Sequence, residues 1–413
     1  MAKIYHAHLW GSREDKYRYL QEHDVNTVEW AQIFPNSPFY LFVPQDRDLR
    51  LEYDAGWQVS KIFPINTLGF QTHRDHFAIG FEREHLKERL KEFRDVKLSD
   101  EEIKYKYELK DNRDWNVTTA RKKIRIDEDW EKYLLTCLYR PFDWQPCYFS
   151  TIAMDYPRNV LQQHMTQKNL SLLCSRQQAT LGFHHVWCAD APANDCVMST
   201  TSREANQVFP LYLYPNTNNE QGNLFVDKTP NLSSDFLSAI RTKLGYIPTP
   251  EAIFYYIYAI FHSPTYRQRY AEFLKIDFPR VPLTSKDRLF KDLGEKGQEL
   301  VELHLMKSKK LNKLITKVGG DGDNAVTEVT YKPTEQRVYI NKSRYFEGIL
   351  PEVWEFKIGG YQVLDKWLKD RKKANRTLSF DDVLHYQKVV VALKETIQLM
   401  TAIDRIIPGF PIE

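Results

Sequence analysis

The alternation of apolar and polar residues is weak at the start of the chain but still predicts a strand. Residues 4–9 alternate up to Trp10-Gly11, and the apolar residues 38–44 predict a second strand. A lone strand leaves backbone hydrogen-bonding groups unpaired, and no hairpin partner is obvious nearby. We therefore expect the strand at residues 4–9 to pair with neighbours outside this chain.

Helical periodicity dominates the second half of the chain. Residues 253–261 are apolar on nearly every face, which predicts a buried helix that ends before Ser263-Pro264. Ser379 and Asp382 resemble a capping box at the start of the longest periodic stretch. The predicted helices comprise residues 83–94, 127–137, 253–261, 264–274, 285–307, 361–373 and 379–405.

The middle of the chain predicts short strands and loops instead. Apolar runs separated by turn-forming residues occupy residues 144–215, and the polar residues 216–222 indicate a boundary. The predicted strands there and further along comprise residues 170–174, 184–187, 209–214, 326–331, 337–341 and 353–358. The fold class is therefore α+β, with a β-rich part that helices brace.

Composition narrows the class of protein without naming a function. The 413 residues suffice for two or three domains, and 42% are hydrophobic, which is typical of a globular core. The five cysteines include no C-x-x-C pair, so reduced thiols are expected. No signal core is present and no apolar run is long enough to span a membrane. We expect a soluble, cytoplasmic protein with no membrane partner.

Motifs of catalysis are absent from the sequence. It contains no P-loop, no G-x-G-x-x-G after a strand, no G-x-S-x-G and no H-E-x-x-H. Asn36-Ser37-Pro38-Phe39 approaches the N-P-P-[Y/F] motif of adenine methyltransferases, but Ser37 interrupts it, which favours a strand-entry turn. The histidine pairs have no ligand partners at convincing spacing. We predict no catalytic residue, no metal site and no cofactor bound by this chain.

Polar side chains in two loops could read bases. Arg can bond guanine at two points and Gln can do so with adenine. The candidates for base contacts are Gln71, Thr72 and Arg74 before a short apolar run, and Arg176, Gln177 and Gln178 after an apolar strand. Basic residues crowded near residue 370 suit phosphate neutralisation. The candidates for phosphate contacts are Lys366, Arg371, Lys372 and Lys373.

Six phrases in fixed order carry a resemblance to a known family. They occupy residues 9–17, 69–75, 139–143, 209–214, 256–267 and 358–368. Together they resemble the C-terminal specificity region, or target recognition domain, of type ISP restriction–modification enzymes and of their single-chain type IIG relatives. In that family an N6-adenine DNA methyltransferase, which uses S-adenosylmethionine, precedes the recognition domain.

The resemblance implies a domain plan and a function. Residues 1–60 look like the tail of the methyltransferase domain and a remnant of its sheet, residues 61–248 like the β-rich recognition part, and residues 249–413 like its helical and mixed part. The implied function is sequence-specific binding of double-stranded DNA for a methyltransferase domain or subunit, with no catalysis by this chain. The catalytic, cofactor and motor motifs would lie upstream.

Two other functions remain open from the residues alone. The chain could be a protein-interaction module that docks on a separate methyltransferase without binding DNA itself. A nuclease with a degenerate acidic site is a weaker alternative, because no carboxylate–carboxylate–lysine set has convincing spacing.

Overall fold

The opening strand has a partner within the chain. In the computed structural model, which describes residues 2–35, 37, 40–180, 182–201, 203–215 and 228–413, β1 (Ile4–His6) pairs antiparallel with β2 (Ala31–Ile33). The expectation that its neighbours lie outside the chain is wrong, because β2 is only three residues long and includes the polar Gln32, so no alternation reveals it. Helices α1 (Arg13–Glu22) and α2 (Arg47–Asp54) complete this region.

The second predicted strand is not formed where the structure can be described. Residues 40–44 contain no strand, while Pro38 and Phe39 lie outside the described residues. Asn36, the first residue of the methyltransferase-like motif, lies outside them too, as do residues 216–222 of the predicted boundary.

The chain divides into two compact units, Met1–Asp54 and Ala55–Glu413. In the described part of the first unit, Tyr53 is the one buried side chain. The second unit holds the extensive cores.

Short helices and strands open the second unit, and some of the helices pack on a hairpin. They are β3 (Trp57–Gln58), α3 (Val59–Ile62), β4 (Thr67–Leu68), α4 (Asp75–Ala78), α5 (Arg83–Arg94), α6 (Asp100–Lys106) and α7 (Val117–Ile126). Leu86 and Leu90 of α5 and Ile124 of α7 join one core with Cys137 and Tyr148 of the hairpin.

The hairpin replaces a predicted helix. Residues 130–133 form one 3-10 turn, and β5 (Leu134–Arg140) then pairs antiparallel with β6 (Asp143–Tyr148). Arg140-Pro141 suggests a helix end in the sequence, but Pro141 and Phe142, whose φ is +60°, form the hairpin turn. The helix prediction for residues 127–137 is wrong, because pairing with a strand formed by later residues outweighs the helical spacing of the apolar residues.

A four-stranded antiparallel sheet follows, in the order β4-β9-β7-β8. Its strands β7 (Ser171–Ser175), β8 (Val186–Ala189) and β9 (Asn206–Pro210) confirm the predicted strands in this region, and β7 is buried along its whole length. The remaining elements before residue 231 are α8 (Asn159–Gln162), β10 (Tyr212–Leu213) and β11 (Thr229–Pro230). Because β7 is hydrogen-bonded to a strand on each side, the loop that follows it begins at a fixed position in the sheet.

Three long helices form the second core. They are α10 (Pro250–His262), α13 (Asp287–His304) and α16 (Phe380–Ile406), which confirms three predicted helices. A Cβ on Gly297 would lie 1.8 Å from the carbonyl oxygen of Tyr255, so only glycine permits this approach of α13 to α10. Shorter helices accompany them: α9 (Ser234–Leu244), α11 (Pro264–Arg269) and α12 (Ala271–Leu274). The helix predicted at residues 264–274 is thus divided at Tyr270.

Small antiparallel sheets complete the unit. Strand β12 (Arg280–Val281) pairs with β3, and a four-stranded sheet has the order β13-β16-β15-β14. Its strands are β13 (Lys317–Gly319), β14 (Thr330–Lys332), β15 (Arg337–Tyr339) and β16 (Tyr345–Glu347). The strand predicted at residues 353–358 is confined to β17 (Lys357–Ile358), because Pro351 begins the helical turn α14 (Pro351–Trp354). Strand β18 (Tyr361–Gln362) leads into α15 (Val363–Lys373).

The described chain is a mixed α+β structure with 42% helix and 17% strand in several small antiparallel sheets. The pairing of β3 with β12 joins the end of the first predicted part, residues 1–60, to the third, residues 249–413. The three-part domain plan itself remains a prediction. No helix in the described ranges is long and apolar enough to cross a membrane.

Candidate nucleic-acid interface

The first predicted base-reading segment is a tight turn whose polar groups bond within the protein. The amide of Gln71 donates to a carboxylate oxygen of Asp195 at 2.6 Å. The hydroxyl of Thr72 bonds the carboxylate of Asp75 and accepts the N–H of Arg74 at 3.0 Å. Thr72 is buried and Gln71 is partly buried. These groups therefore shape the turn.

Arg74 lies inside this turn with its guanidinium 4% exposed. It forms an ion pair with Asp155 at 2.5 Å, donates to the carbonyl of Thr72 at 2.8 Å, and lies 3.8 Å from the centre of the Trp115 ring. Burial lowers the pKa of Arg74, and the hydrogen bond and charge of Asp155 oppose that shift. Arg74 is thus used to hold the turn against residues far along the chain.

The second predicted base-reading segment leaves β7 as an exposed loop. Arg176 is 64% exposed and forms a surface ion pair with Asp277 at 3.1 Å. Gln177 is exposed, and no hydrogen bond engages its side chain among the described residues. Gln178 instead donates its side-chain amide to the carbonyl of Leu274 at 3.0 Å. Arg176 and Gln177 therefore face solvent, whereas the side chain of Gln178 faces the protein.

A buried carboxylate anchors the same loop. Glu204 accepts hydrogen bonds from the N–H of Ala179 at 2.6 Å, the N–H of Thr180 at 2.8 Å and the hydroxyl of Ser199 at 2.6 Å. Burial alone would raise the pKa of Glu204, but these hydrogen bonds and nearby His185 lower it to about 2. The carboxylate is therefore ionised, and it ties residues 179–180 to the loop at residues 199–204.

A glycine holds that second loop against the end of β17. Gly359 has a φ of +57°, and a Cβ there would lie 2.1 Å from the carbonyl oxygen of Met198. The N–H of Gly360 donates to the same carbonyl at 2.9 Å. The close approach connects residues 198–204 to the segment that begins α15.

One predicted phosphate ligand on α15 is buried. Arg371 donates two hydrogen bonds to the carboxylate of Asp143, at 2.9 and 2.7 Å, and its guanidinium lies 3.6 Å from the centre of the Trp367 ring. Burial would raise the pKa of Asp143, but the charge and hydrogen bonds of Arg371 lower it. Arg371 therefore joins α15 to the hairpin β5–β6.

The three predicted lysines of α15 differ in their surroundings. Lys366 is partly buried and pairs with Asp370 at 2.5 Å. Lys372 and Lys373 are exposed, and no ion pair involves either of them in the part of the chain that the structure describes. Both ammonium groups are thus available to a partner.

A cleft of about 640 Å³ is lined by two of the predicted phosphate ligands and by none of the predicted base contacts. Asp75, at the end of the first turn, lines it together with Lys366 and Lys373 of α15. The loop at residues 176–178 does not line this cleft. Sequence reasoning missed Arg140, which also lines the cleft, although residues 139–143 form one of the phrases that carry the family resemblance.

Within the described ranges, no group of three or more His, Cys, Asp or Glu side chains could hold a metal ion. The arrangement offers exposed hydrogen-bonding side chains on an anchored loop and basic groups in and beside a cleft. Such groups suit base edges and phosphates, respectively.

Most of the chain matches a known protein family. The family described as type ISP C-terminal specificity domain matches residues 61–402. No curated protein shows a significant match.

Three solved structures are similar over nearly the whole chain, each at 20% identity. They are a nuclease-deletion mutant of the type ISP restriction–modification enzyme LlaGI in complex with a DNA substrate mimic (TM-score 0.69, 97% of this chain), the DrdV–DNA complex (0.72, 97%) and the ATP-dependent type ISP enzyme LlaBIII bound to DNA (0.68, 93%). The similarity covers 32%, 43% and 26% of those chains, respectively, so this chain spans less than half of each. At this identity the likeness shows a shared fold.

Proposed function

The chain belongs to the type ISP C-terminal specificity domain family, and on that basis we propose that it binds double-stranded DNA and distinguishes base sequences for an adenine methyltransferase. The family description supports the specificity role. The presence of DNA in the three structurally similar proteins supports the partner. No catalytic step is assigned to this chain.

The anchored loop after β7 carries the proposal. Arg176 and Gln177 project from a backbone that Glu204 holds through residues 179–180 and that the carbonyl of Lys275 holds through the N–H of Gln178, at 3.1 Å. A guanidinium can bond guanine and a side-chain amide can bond adenine at two points in the major groove. A rigid backbone helps because little loop entropy is lost on binding.

The other predicted contacts receive different roles in this proposal. Lys372 and Lys373 are both exposed, and we assign the phosphate contact to Lys373 because it also lines the cleft, whereas Lys372 adds positive charge to the same surface without a direct contact. Lys366 can add positive charge to the same surface, although it pairs with Asp370. The side chains of Gln71, Thr72, Arg74, Gln178 and Arg371 bond inside the protein and would act by holding the contact surfaces in place.

A docking role for the first unit rests on a separate observation. By the family resemblance, residues 1–60 correspond to the tail of a methyltransferase domain, and several large apolar side chains in this region are exposed. Trp10 is 69% exposed, Val25 71% and Phe42 63%. Exposed apolar side chains of this size favour burial against another protein surface. We propose the methyltransferase domain or subunit as that partner, with residues 61–248 reading DNA and residues 249–413 bracing the reader.

A salt titration tests DNA binding by the chain itself. Affinity for a pool of duplexes should fall steeply with salt. The logarithm of the binding constant should fall linearly with the logarithm of the salt concentration, with a slope of about −0.9 for each neutralised phosphate. Selection from random duplexes should then enrich one sequence. If no duplex binds while a type ISP methyltransferase domain binds, and Trp10→Glu abolishes that binding, then docking without DNA binding is the better account.

A further inference from the structure

Arg140 is a buried cation without a carboxylate partner. The residue is 6% exposed, and its Nη1 donates to the carbonyl of Tyr139 at 2.6 Å and to the side-chain oxygen of Asn194 at 3.1 Å. Among the described residues its Nε has no hydrogen-bond partner, and no carboxylate forms an ion pair with it. In contrast, the buried Arg74 and Arg371 each pair with an aspartate.

Two rings and two more distant carboxylates surround Arg140: burial alone would lower the pKa of Arg140, but Tyr139, Tyr361 and the charges of Asp75 and Asp370 raise it. Its guanidinium lies 3.8 Å from the centre of the Tyr139 ring and 5.8 Å from that of Tyr361. Aromatic faces attract a cation but carry no net charge. A buried charge that is not paired is costly, so a site of this kind favours an anionic ligand.

The cleft that Arg140 lines has an excess of positive charge. Five lining residues are Arg or Lys and three are Asp or Glu. Each of the three acids already has a partner: Asp75 accepts from the hydroxyl of Tyr139 at 2.9 Å, Asp370 pairs with Lys366, and Glu82 pairs with Arg376 at 2.7 Å. Of the three cations without an acidic partner, Arg89 already donates to the carbonyls of His76, Phe77 and Ile79, so the ammonium of Lys373 and the guanidinium of Arg140 remain for a ligand.

We propose that this cleft binds one phosphate group of the DNA backbone through Lys373 and Arg140. The inference rests on the proposed function and makes it more specific, because it separates two adjacent lysines. Lys373 lines the cleft, whereas Lys372 is exposed on the same helix and does not line it. If DNA bound to a diffuse basic surface, both lysines would contribute equally to affinity. If one phosphate binds in the cleft, Lys373 contributes more than Lys372.

The two lysines provide the test and its matched control. Affinity of the full chain for its selected duplex is measured by fluorescence anisotropy for wild type, Lys373→Gln and Lys372→Gln. Loss of one charged hydrogen bond should weaken the Lys373→Gln variant about tenfold. The salt slope should also fall by about one unit. Lys372→Gln should bind within about twofold of wild type, because an exposed charge beside the contact contributes little. Equal effects of the two variants would overturn the phosphate site.

Single methylphosphonate substitutions in the duplex identify the phosphate itself. Removing the charge of the contacted phosphate should weaken wild type, and at that position Lys373→Gln should cause no further loss, because both changes remove one interaction. Losses that add at every position would overturn the inference while leaving DNA binding intact. Equal duplex binding by the two lysine variants, while inorganic phosphate stabilises wild type against heat more than Lys373→Gln, would indicate a site for free phosphate and overturn it too. A wild-type chain that binds no duplex would overturn both the proposed function and this inference.

Discussion

Arg371 and Asp143 form a buried two-point ion pair between residues 228 positions apart, with N–O distances of 2.9 and 2.7 Å. The pair connects the basic helix α15 to the hairpin β5–β6. It therefore fixes the position of Lys373 relative to Arg140, which lies on the same hairpin.

Removal of the carboxylate should destabilise the protein strongly. Asp143→Ala leaves the guanidinium of Arg371 buried and unpaired, which costs about 3–5 kcal/mol. The surface pair of Lys369 and Asp365 on the same helix is the control, because Lys369 is 59% exposed and Lys369→Ala should cost less than about 1 kcal/mol. Urea unfolding of both variants measures the difference. Similar losses would show that the buried pair has no special role.

Two glycines of α13 should respond oppositely to alanine. Gly297→Ala brings a methyl group against the carbonyl of Tyr255 and should destabilise by more than about 3 kcal/mol. A Cβ on Gly294 would meet no packing neighbour within 4 Å, so Gly294→Ala should stabilise by about 0.5–1 kcal/mol through lower unfolded-state entropy. Thermal unfolding of the two single variants measures both changes in stability. Tolerance of Gly297→Ala would disprove the close packing of α13 on α10.

Adjacent glutamines should separate base reading from loop support. Gln177→Ala should reduce the preference for one base pair of the selected duplex by about 1–3 kcal/mol while non-specific binding persists. Gln178→Ala removes an internal hydrogen bond to the carbonyl of Leu274 and should lower loop stability without selective loss at one base. Binding to the selected duplex and its single-base variants distinguishes the two. An unchanged profile for Gln177→Ala would remove it from the readout.

Buried histidine makes the fold sensitive to acid. Burial lowers the pKa of His304 to about 3, and its ring bonds the hydroxyls of Tyr258 and Thr396 at 2.6 and 2.9 Å. The unfolded imidazole takes up a proton near pH 6.5, so this contribution to stability is complete above pH 6.5 and is lost as the pH falls toward 3. The free energy of unfolding should decline by about 1.4 kcal/mol per pH unit for this group.

The variants His304→Gln and Thr396→Val check that slope. The first should be less stable at neutral pH, and its free energy of unfolding should fall less steeply than that of wild type between about pH 5.5 and pH 4.5, by the contribution of about one proton. Thr396→Val is the control, because it removes the hydroxyl that bonds the ring at 2.9 Å but keeps the buried imidazole, so the slope should persist. An equal slope in wild type and His304→Gln would contradict the assignment.

Local sequence signals predicted the elements that local forces determine. The apolar run at residues 253–261 identifies α10, because a helix that is apolar on nearly all faces must be buried. The cap at Ser379 identifies the start of α16, because its side chain bonds the backbone of the first turn. The hairpin β5–β6 escaped prediction because its Pro141-Phe142 turn resembles a helix end.

The candidate site was predictable as residue types but not as roles. Gln177 and Gln178 are identical in sequence terms, yet only the carbonyl of Leu274, 96 residues away from Gln178, determines that one faces inward. Arg74 likewise has its partner Asp155 81 positions away. Such distant contacts leave no periodic signal in a single sequence.

The anchoring of the loop after β7 has a consequence for how recognition can change over evolutionary time. Glu204 and the carbonyl of Lys275 hold backbone groups of this loop, so their contacts do not depend on which side chains occupy positions 176 and 177. Under the proposed function, a mutation at either position would present a new chemical group on an unchanged frame. New target sequences could then arise by single codon changes without a loss of folding.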